Sequence, residues 1–167
     1  MPRINGRNKW LLSPFFGPLT HSRTCGTVES GKNPEGMTME KRCLNAAGGP
    51  PAAGPYSHAV AAGNLLFVSG QVSLAPDGSG PVLGSFEIEA RRMLDNLKII
   101  LEECGSGLEH VVKTTVFLAD MDRFGELNSI YSEYFDESKP ARSCVQVARL
   151  PLDFQCEIEA IALLPEA

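Results

Sequence analysis

The chain has 167 residues, 43% of them hydrophobic and 21% charged, which suits one soluble globular domain with room for a single core. A net charge of −5 argues against nucleic acid as the main partner, because a phosphate backbone needs a basic face. Cys25, Cys43, Cys104, Cys144 and Cys156 are odd in number and contain no C-x-x-C pair, and His21, His58 and His110 lie far apart. That pattern argues against a metal site and against a secreted disulfide framework.

Residues 1–36 carry five Lys/Arg and two Glu, with Gly and Pro scattered through them and no helical or strand period. Residues 37–167 carry ten basic and eighteen acidic residues, a charge of −8. Three readings fit 1–36: a disordered extension, an organelle transit peptide, or a start codon placed ahead of Met37 or Met39. The apolar run Leu11–Phe16 is too short and too broken to span a bilayer, so no membrane is expected. The expected location is the cytoplasm, or a mitochondrion or plastid if 1–36 is a transit peptide. Residues 37–53, with Gly48-Gly49-Pro50-Pro51, read as a linker into a domain over 54–167.

Asn64–Val72 is a nearly continuous apolar run and reads as a strand buried on both faces. Ser57–Ala62 is its hairpin partner, turning at Gly63-Asn64. Residues 75–84 form a loop. Gly78-Ser79-Gly80-Pro81-Val82-Leu83-Gly84 imitates a dinucleotide fingerprint, but its last interval is one residue too long and Pro81 sits inside it. Ser85 caps a helix that ends at Gly105, with one apolar stripe through Phe86, Ala90, Met93, Leu94, Leu97, Leu101 and Cys104. Val111–Leu118 is a β-branched strand. A second helix starts near Asp122, presents Phe124, Leu127, Tyr131 and Tyr134 on one face, and stops before Pro140. Two last strands, Ala141–Arg149 and Gln155–Leu164, flank a turn at Pro151–Asp153. The order β-β-α-β-α-β-β predicts an α/β (α+β) fold, one mixed sheet with both helices on one face.

Alternation places Arg142, Cys144 and Gln146 on one face of the first of these last strands. Glu157 and Glu159 share a face of the second with Ile161 and Leu163. The expected picture is a sheet face without helices that carries Arg and Glu among apolar groups, which suits a subunit interface or a site. An ion pair or solvated charges would give the same pattern. Read as a hairpin, the two strands bring Glu157 nearer to Gln146 than to Arg142.

The motifs Gly54-Pro55-Tyr56-Ser57, Val68-Ser69-Gly70-Gln71, Lys113-Thr114-Thr115-Val116, Pro140-Ala141-Arg142-Ser143-Cys144 and Glu157-Ile158-Glu159-Ala160 closely resemble the RidA/YjgF family, over about Ala53–Leu164. The resemblance implies a chorismate-mutase-like fold and a homotrimer whose sheets form a central barrel, with sites between neighbouring subunits. It also implies hydrolysis of 2-imino acids such as 2-iminopropanoate and 2-iminobutanoate to 2-keto acids and ammonia, which protects pyridoxal-phosphate enzymes from damage. By the same resemblance Arg142 anchors the substrate carboxylate, Glu157 positions water and shuttles a proton, and the Cys144 backbone helps hold water or imine. Tyr56 walls the cleft, and Ser69, Gly70 and Asn128 surround it; the implied chemistry needs no metal or organic cofactor, because water, one carboxylate and one guanidinium suffice. The segment before Pro140 is short for the family, which bears on the cleft rim. A different class of function, a non-catalytic module binding keto acids or amino acids in the same cleft, uses the same residues. Relatives linked to translation inhibition and to chaperone-like behaviour add further roles.

Overall fold

The computed structural model describes residues 40–165, so the readings of residues 1–36 fall outside the described residues. The elements are β1 (Lys41–Leu44), β2 (Ala59–Ala62), β3 (Leu65–Gln71), α1 (Phe86–Glu103), β4 (Val111–Leu118), α2 (Phe124–Phe135), β5 (Ala141–Gln146) and β6 (Cys156–Leu163). They form one mixed six-stranded sheet in the order β1-β2-β3-β6-β4-β5. The segment expected as a linker thus supplies a strand. β1 pairs with β2, and the buried His58 ties the chain that follows it to the body. The His58 Nδ1 accepts from the Ala46 N–H at 3.0 Å, which leaves Nε2 as the donor to the Pro50 carbonyl at 2.8 Å. Four residues reading Lys-Arg-Cys-Leu show no alternation to announce a strand.

Local chemistry sets the helix ends. The Ser85 hydroxyl accepts from the Ile88 N–H at the start of α1. At its end Gly105 sits at φ 85°, the Gly105 N–H reaches the Glu102 carbonyl and the Ser106 N–H reaches Leu101, a Schellman closure. The predicted α1 stripe is buried throughout and Ile100 joins it. Its side chains pack on Leu66, Val68, Val116, Ile158 and Ala160 of the sheet. The α2 stripe differs from expectation. Leu127, Ile130, Tyr131 and Phe135 face the core, whereas Tyr134 is half-buried and Phe124 is 38% exposed. A 3₁₀ turn over Met121–Arg123 precedes α2. The glycine-rich segment over 75–84 is a loop closed by a single bridge between Leu74 and Pro81.

The last two strands are not a hairpin. β5 runs parallel to β4 at the sheet edge, while β6 inserts between β3 and β4, antiparallel to both. A 3₁₀ turn at Pro151–Asp153 therefore leads across the sheet rather than back along β5. β5 also stops at Gln146, three residues earlier than predicted.

This topology corrects the face assignment. Thr114 on β4 is fully buried under the helices and lies beside Arg142 of β5 and Ala160 of β6. Arg142, Cys144 and Gln146 thus belong to the helix side. Glu157 lies beside Phe117, and Phe117 beside Val145, on the face without helices. That open face also presents Phe67, Val145 and Leu163, each about two-fifths exposed.

Candidate active site

The motif residues gather in two places. Tyr56, Ser69, Gly70 and Glu157 line one cleft of about 470 Å³, together with Val72, Leu74, Leu152 and Phe154. Arg142 and Asn128 line a separate groove of about 430 Å³ with Tyr131, Ser132 and Lys139. Within one chain the sheet stands between them, so Arg142 and Glu157 do not meet.

The first place is built on a bulge. Register between β3 and β6 shifts between Val68 and Gln71, which frees Ser69 and Gly70 from regular pairing. The Ser69 hydroxyl donates to the Ser57 carbonyl at 2.8 Å and holds the approach to β2. Gly70 sits directly beneath Glu157: a Cβ there would stand 2.9 Å from the carboxyl carbon Cδ, closer than real contacts allow. With a glycine here, Glu157 lies over the bulge in this rotamer; a larger residue would push the carboxylate aside. The Glu157 carboxylate makes no hydrogen bond among the described residues. Burial, and after it the charge of Glu159, holds its carboxyl above the ordinary carboxylate range. An unbonded carboxylate of raised pKa at the end of an apolar cleft is equipped to take and return a proton. Removing the like charge should ease ionisation. In Glu159→Gln the acidic limb of the pH–activity profile is expected to move to lower pH, and an upward move or none would count against this electrostatic reading.

The far wall is fixed from behind. Asn96 is fully buried, and its amide donates to the carbonyls of Val72 and Leu74, both at 2.9 Å. Asn96 carries no signal in the sequence, since one polar residue in a helix has no period. Asn96→Ala would orphan two carbonyls, at a cost of about 1–3 kcal/mol in stability by denaturant titration.

In the second place Arg142 leaves β5 toward α2. Its Nη2 donates to the Asn128 Oδ1 at 2.6 Å, and its guanidinium carbon stands 4.6 Å from the Tyr131 ring centre and 5.5 Å from that of Phe124. The fork is thereby held by two rings and one amide, with further N–H donors to spare for a planar anion. Asn128 has a definite task as its orienting partner, and Phe124 is exposed at the helix start because it flanks that cation. Tyr131 is itself fixed, its hydroxyl bonded to Thr114 at 2.8 Å.

Cys144 stands two residues along the same face. It is half-buried against the core, and burial pushes its thiol pKa up, so the thiol stays protonated and is a poor nucleophile. Its backbone is better placed. The Val147 N–H bonds to the Leu118 carbonyl of β4, and alternate residues of a strand turn their N–H groups to opposite sides. The N–H groups of Arg142 and Cys144 therefore point outward from the free edge of the sheet.

Among the described residues no cluster of three or more His, Cys, Asp or Glu side chains is arranged to hold a metal, and no helix is long and apolar enough to cross a membrane. The pattern of the family described as endoribonuclease L-PSP matches residues 47–164. A mouse protein named 2-iminobutanoate/2-iminopropanoate deaminase is 46% identical over 74% of this chain and 91% of its own length. The crystal structure of yeast Mmf1, a relative whose name places it in mitochondria, is 46% identical, covers 75% of this chain and 99% of that one, and superposes with a TM-score of 0.72. The crystal structure of the YjgF gene product of E. coli is 41% identical, covers 74% of this chain and 99% of that one, and gives a TM-score of 0.69. With the motifs, the strand order and a family pattern that spans both places in agreement, the chain belongs to the endoribonuclease L-PSP family, which is the RidA/YjgF family of its sequence motifs.

Proposed function

We propose that the protein hydrolyses reactive 2-imino acids, and the enamines in equilibrium with them, to 2-keto acids and ammonia. The observation that carries this reading is the Glu157 carboxylate, raised in pKa, without a hydrogen bond among the described residues and laid over Gly70 in an apolar cleft. The name of the mouse relative supports the same substrate class.

The chemistry follows from the two half-sites. The substrate carboxylate is planar, and the Arg142 fork can hold both its oxygens. Glu157 takes a proton from water as the water oxygen bonds to the C=N carbon, and hands that proton to the nitrogen, which has received the π pair. The carbinolamine then collapses: Glu157 carries the hydroxyl proton to the amino nitrogen, the C–N bond breaks as the C=O forms, and nitrogen leaves as ammonia with Glu157 again ionised. Outward N–H groups at the β5 edge, that of Cys144 among them, suit the water or the polar end of the imine. Tyr56, half exposed at the mouth, can close over the bound acid. Water, one carboxylate and one guanidinium suffice for this sequence.

Joining the half-sites requires more than one copy. The open sheet face with Phe67, Val145 and Leu163, and the unpaired edge of β5, are surfaces that a second copy would cover. The proposed assembly is a homotrimer, in which Arg142 of one copy faces Glu157 of the next. Its partner would be a small 2-imino acid rather than nucleic acid, in keeping with the −8 charge of residues 37–167. Clearing such imines would spare pyridoxal-phosphate enzymes from attack. The basic leader over 1–36 supports an organellar address as the alternative to the cytoplasm.

The test generates 2-iminobutanoate from threonine with a threonine dehydratase while semicarbazide competes to trap it. Added protein is expected to suppress semicarbazone formation, and Arg142→Ala to lose that suppression. A folded wild-type protein without effect would sink the reading for this substrate and leave a keto-acid binding module in its place.

A further inference from the structure

One buried carboxyl group stands apart from both half-sites. Glu89, in the first turn of α1, is 3% exposed and lines neither cleft nor groove. Among the described residues no Lys, Arg or His side chain pairs with it. Burying a carboxylate without a cation is costly, and an apolar residue would extend the α1 stripe at no such cost. Nor does Glu89 activate the Cys156 thiol: burial, and after it the Glu89 charge, pushes that thiol up to about 12, so it stays protonated.

Both Glu89 oxygens go to one residue. Oε2 accepts from the Gln155 N–H at 2.9 Å and Oε1 from the Gln155 side-chain amide at 2.8 Å. The same amide donates to the Gly84 carbonyl at 3.2 Å, next to the Ser85 cap. From β4 the Ala119 N–H donates to the Gln155 carbonyl at 3.0 Å. Gln155 is thus clasped from the helix and from the sheet, just before β6 begins at Cys156. Glu157 follows two residues later, its carboxylate against Gly70 over the bulge in β3. A shift at Gln155 would carry Glu157 with it.

We infer that Glu89 is a positioning residue for imine hydrolysis: by clasping Gln155 it sets where the Glu157 carboxylate stands in its cleft. The inference rests on the deaminase reading and adds a residue to it. A displaced proton carrier loses rate, while the carboxylate anchor at Arg142, in the other half-site, is untouched.

The test measures 2-iminobutanoate clearance in the semicarbazide competition as a rate per site, the sites being counted by titration with 2-oxobutanoate. Glu89→Leu keeps the bulk and removes both acceptors. Its rate per site should fall roughly ten-fold with the affinity for 2-oxobutanoate unchanged. Glu89→Gln retains one acceptor oxygen and should recover part of the loss; if Glu89→Leu fails to fold, Glu89→Gln should show the same split to a smaller degree. In a Glu157→Gln background, with no carboxylate to place, either substitution should alter the remaining rate by less than about two-fold. A merely structural role would reduce the number of binding sites and leave the rate per site at the wild-type level, which would overturn the inference, as would an equal loss in both backgrounds. A wild-type protein that clears no imine would instead overturn the deaminase reading itself.

Discussion

Glu157→Gln is expected to lower kcat for imine hydrolysis by about 10²–10⁴-fold, the usual worth of a positioned general acid–base group, while keto-acid binding persists. The amide matches the carboxyl in shape but carries no proton to transfer. The same substitution should not weaken the fold. Burial raises the Glu157 pKa, so folding favours its protonated form. Any stability tied to that proton is present in acid and is lost as the pH rises through the folded-state pKa. At neutral pH the ionised carboxylate is therefore a burden on the fold, and Gln removes it. Thermal melting should place the variant at or above wild type at pH 7, with the difference vanishing in acid. A variant that loses activity together with stability would mean that Glu157 serves packing rather than proton transfer.

The second large effect belongs to Arg142→Lys. Lysine keeps the charge but loses the planar fork, the stacking on Tyr131 and Phe124 and the bond to Asn128. A charge-assisted bond to the substrate carboxylate is worth about 1.5–3 kcal/mol, so kcat/KM should drop on the order of ten- to a hundred-fold. Most of the loss should sit in KM, since the anchor holds substrate and transition state alike. Activity equal to wild type would show that the carboxylate is held elsewhere.

These residues were legible in the sequence, but their arrangement was not. Periodicity locates β3, β4 and all of α1, but β3 is buried on one face alone: no helix covers the other, and Phe67 stands 42% exposed there. It missed β1, four residues of mixed character whose structure comes from pairing with β2 and from the clasp at His58. The gravest error followed from neighbour order. Ala141–Arg149 and Gln155–Leu164 looked like a hairpin, yet β4 intervenes and β5 is parallel to it. Alternation along a strand fixes which residues share a face and leaves open which face that is. Alternation alone therefore allows Arg142 on the open side, whereas Thr114, its neighbour on β4, lies under the helices. Nor could spacing reveal that Gly70 lies under Glu157, since a bulge in β3 decides it. The candidate site residues are legible only as family motifs, because on one chain they lie in two separate places that strand pairing does not join.

Separation of Glu157 and Arg142 makes a direct test available. Glu157→Gln and Arg142→Ala chains, each inactive alone, are unfolded together, mixed in equal amounts and refolded before imine hydrolysis is measured. If each site takes Glu157 from one copy and Arg142 from another, random assembly restores about a quarter of the sites. Recovery of that order, absent when separately refolded variants are combined without exchange, is the expected result. Mixed oligomers that form and stay inactive would contradict a site shared between chains.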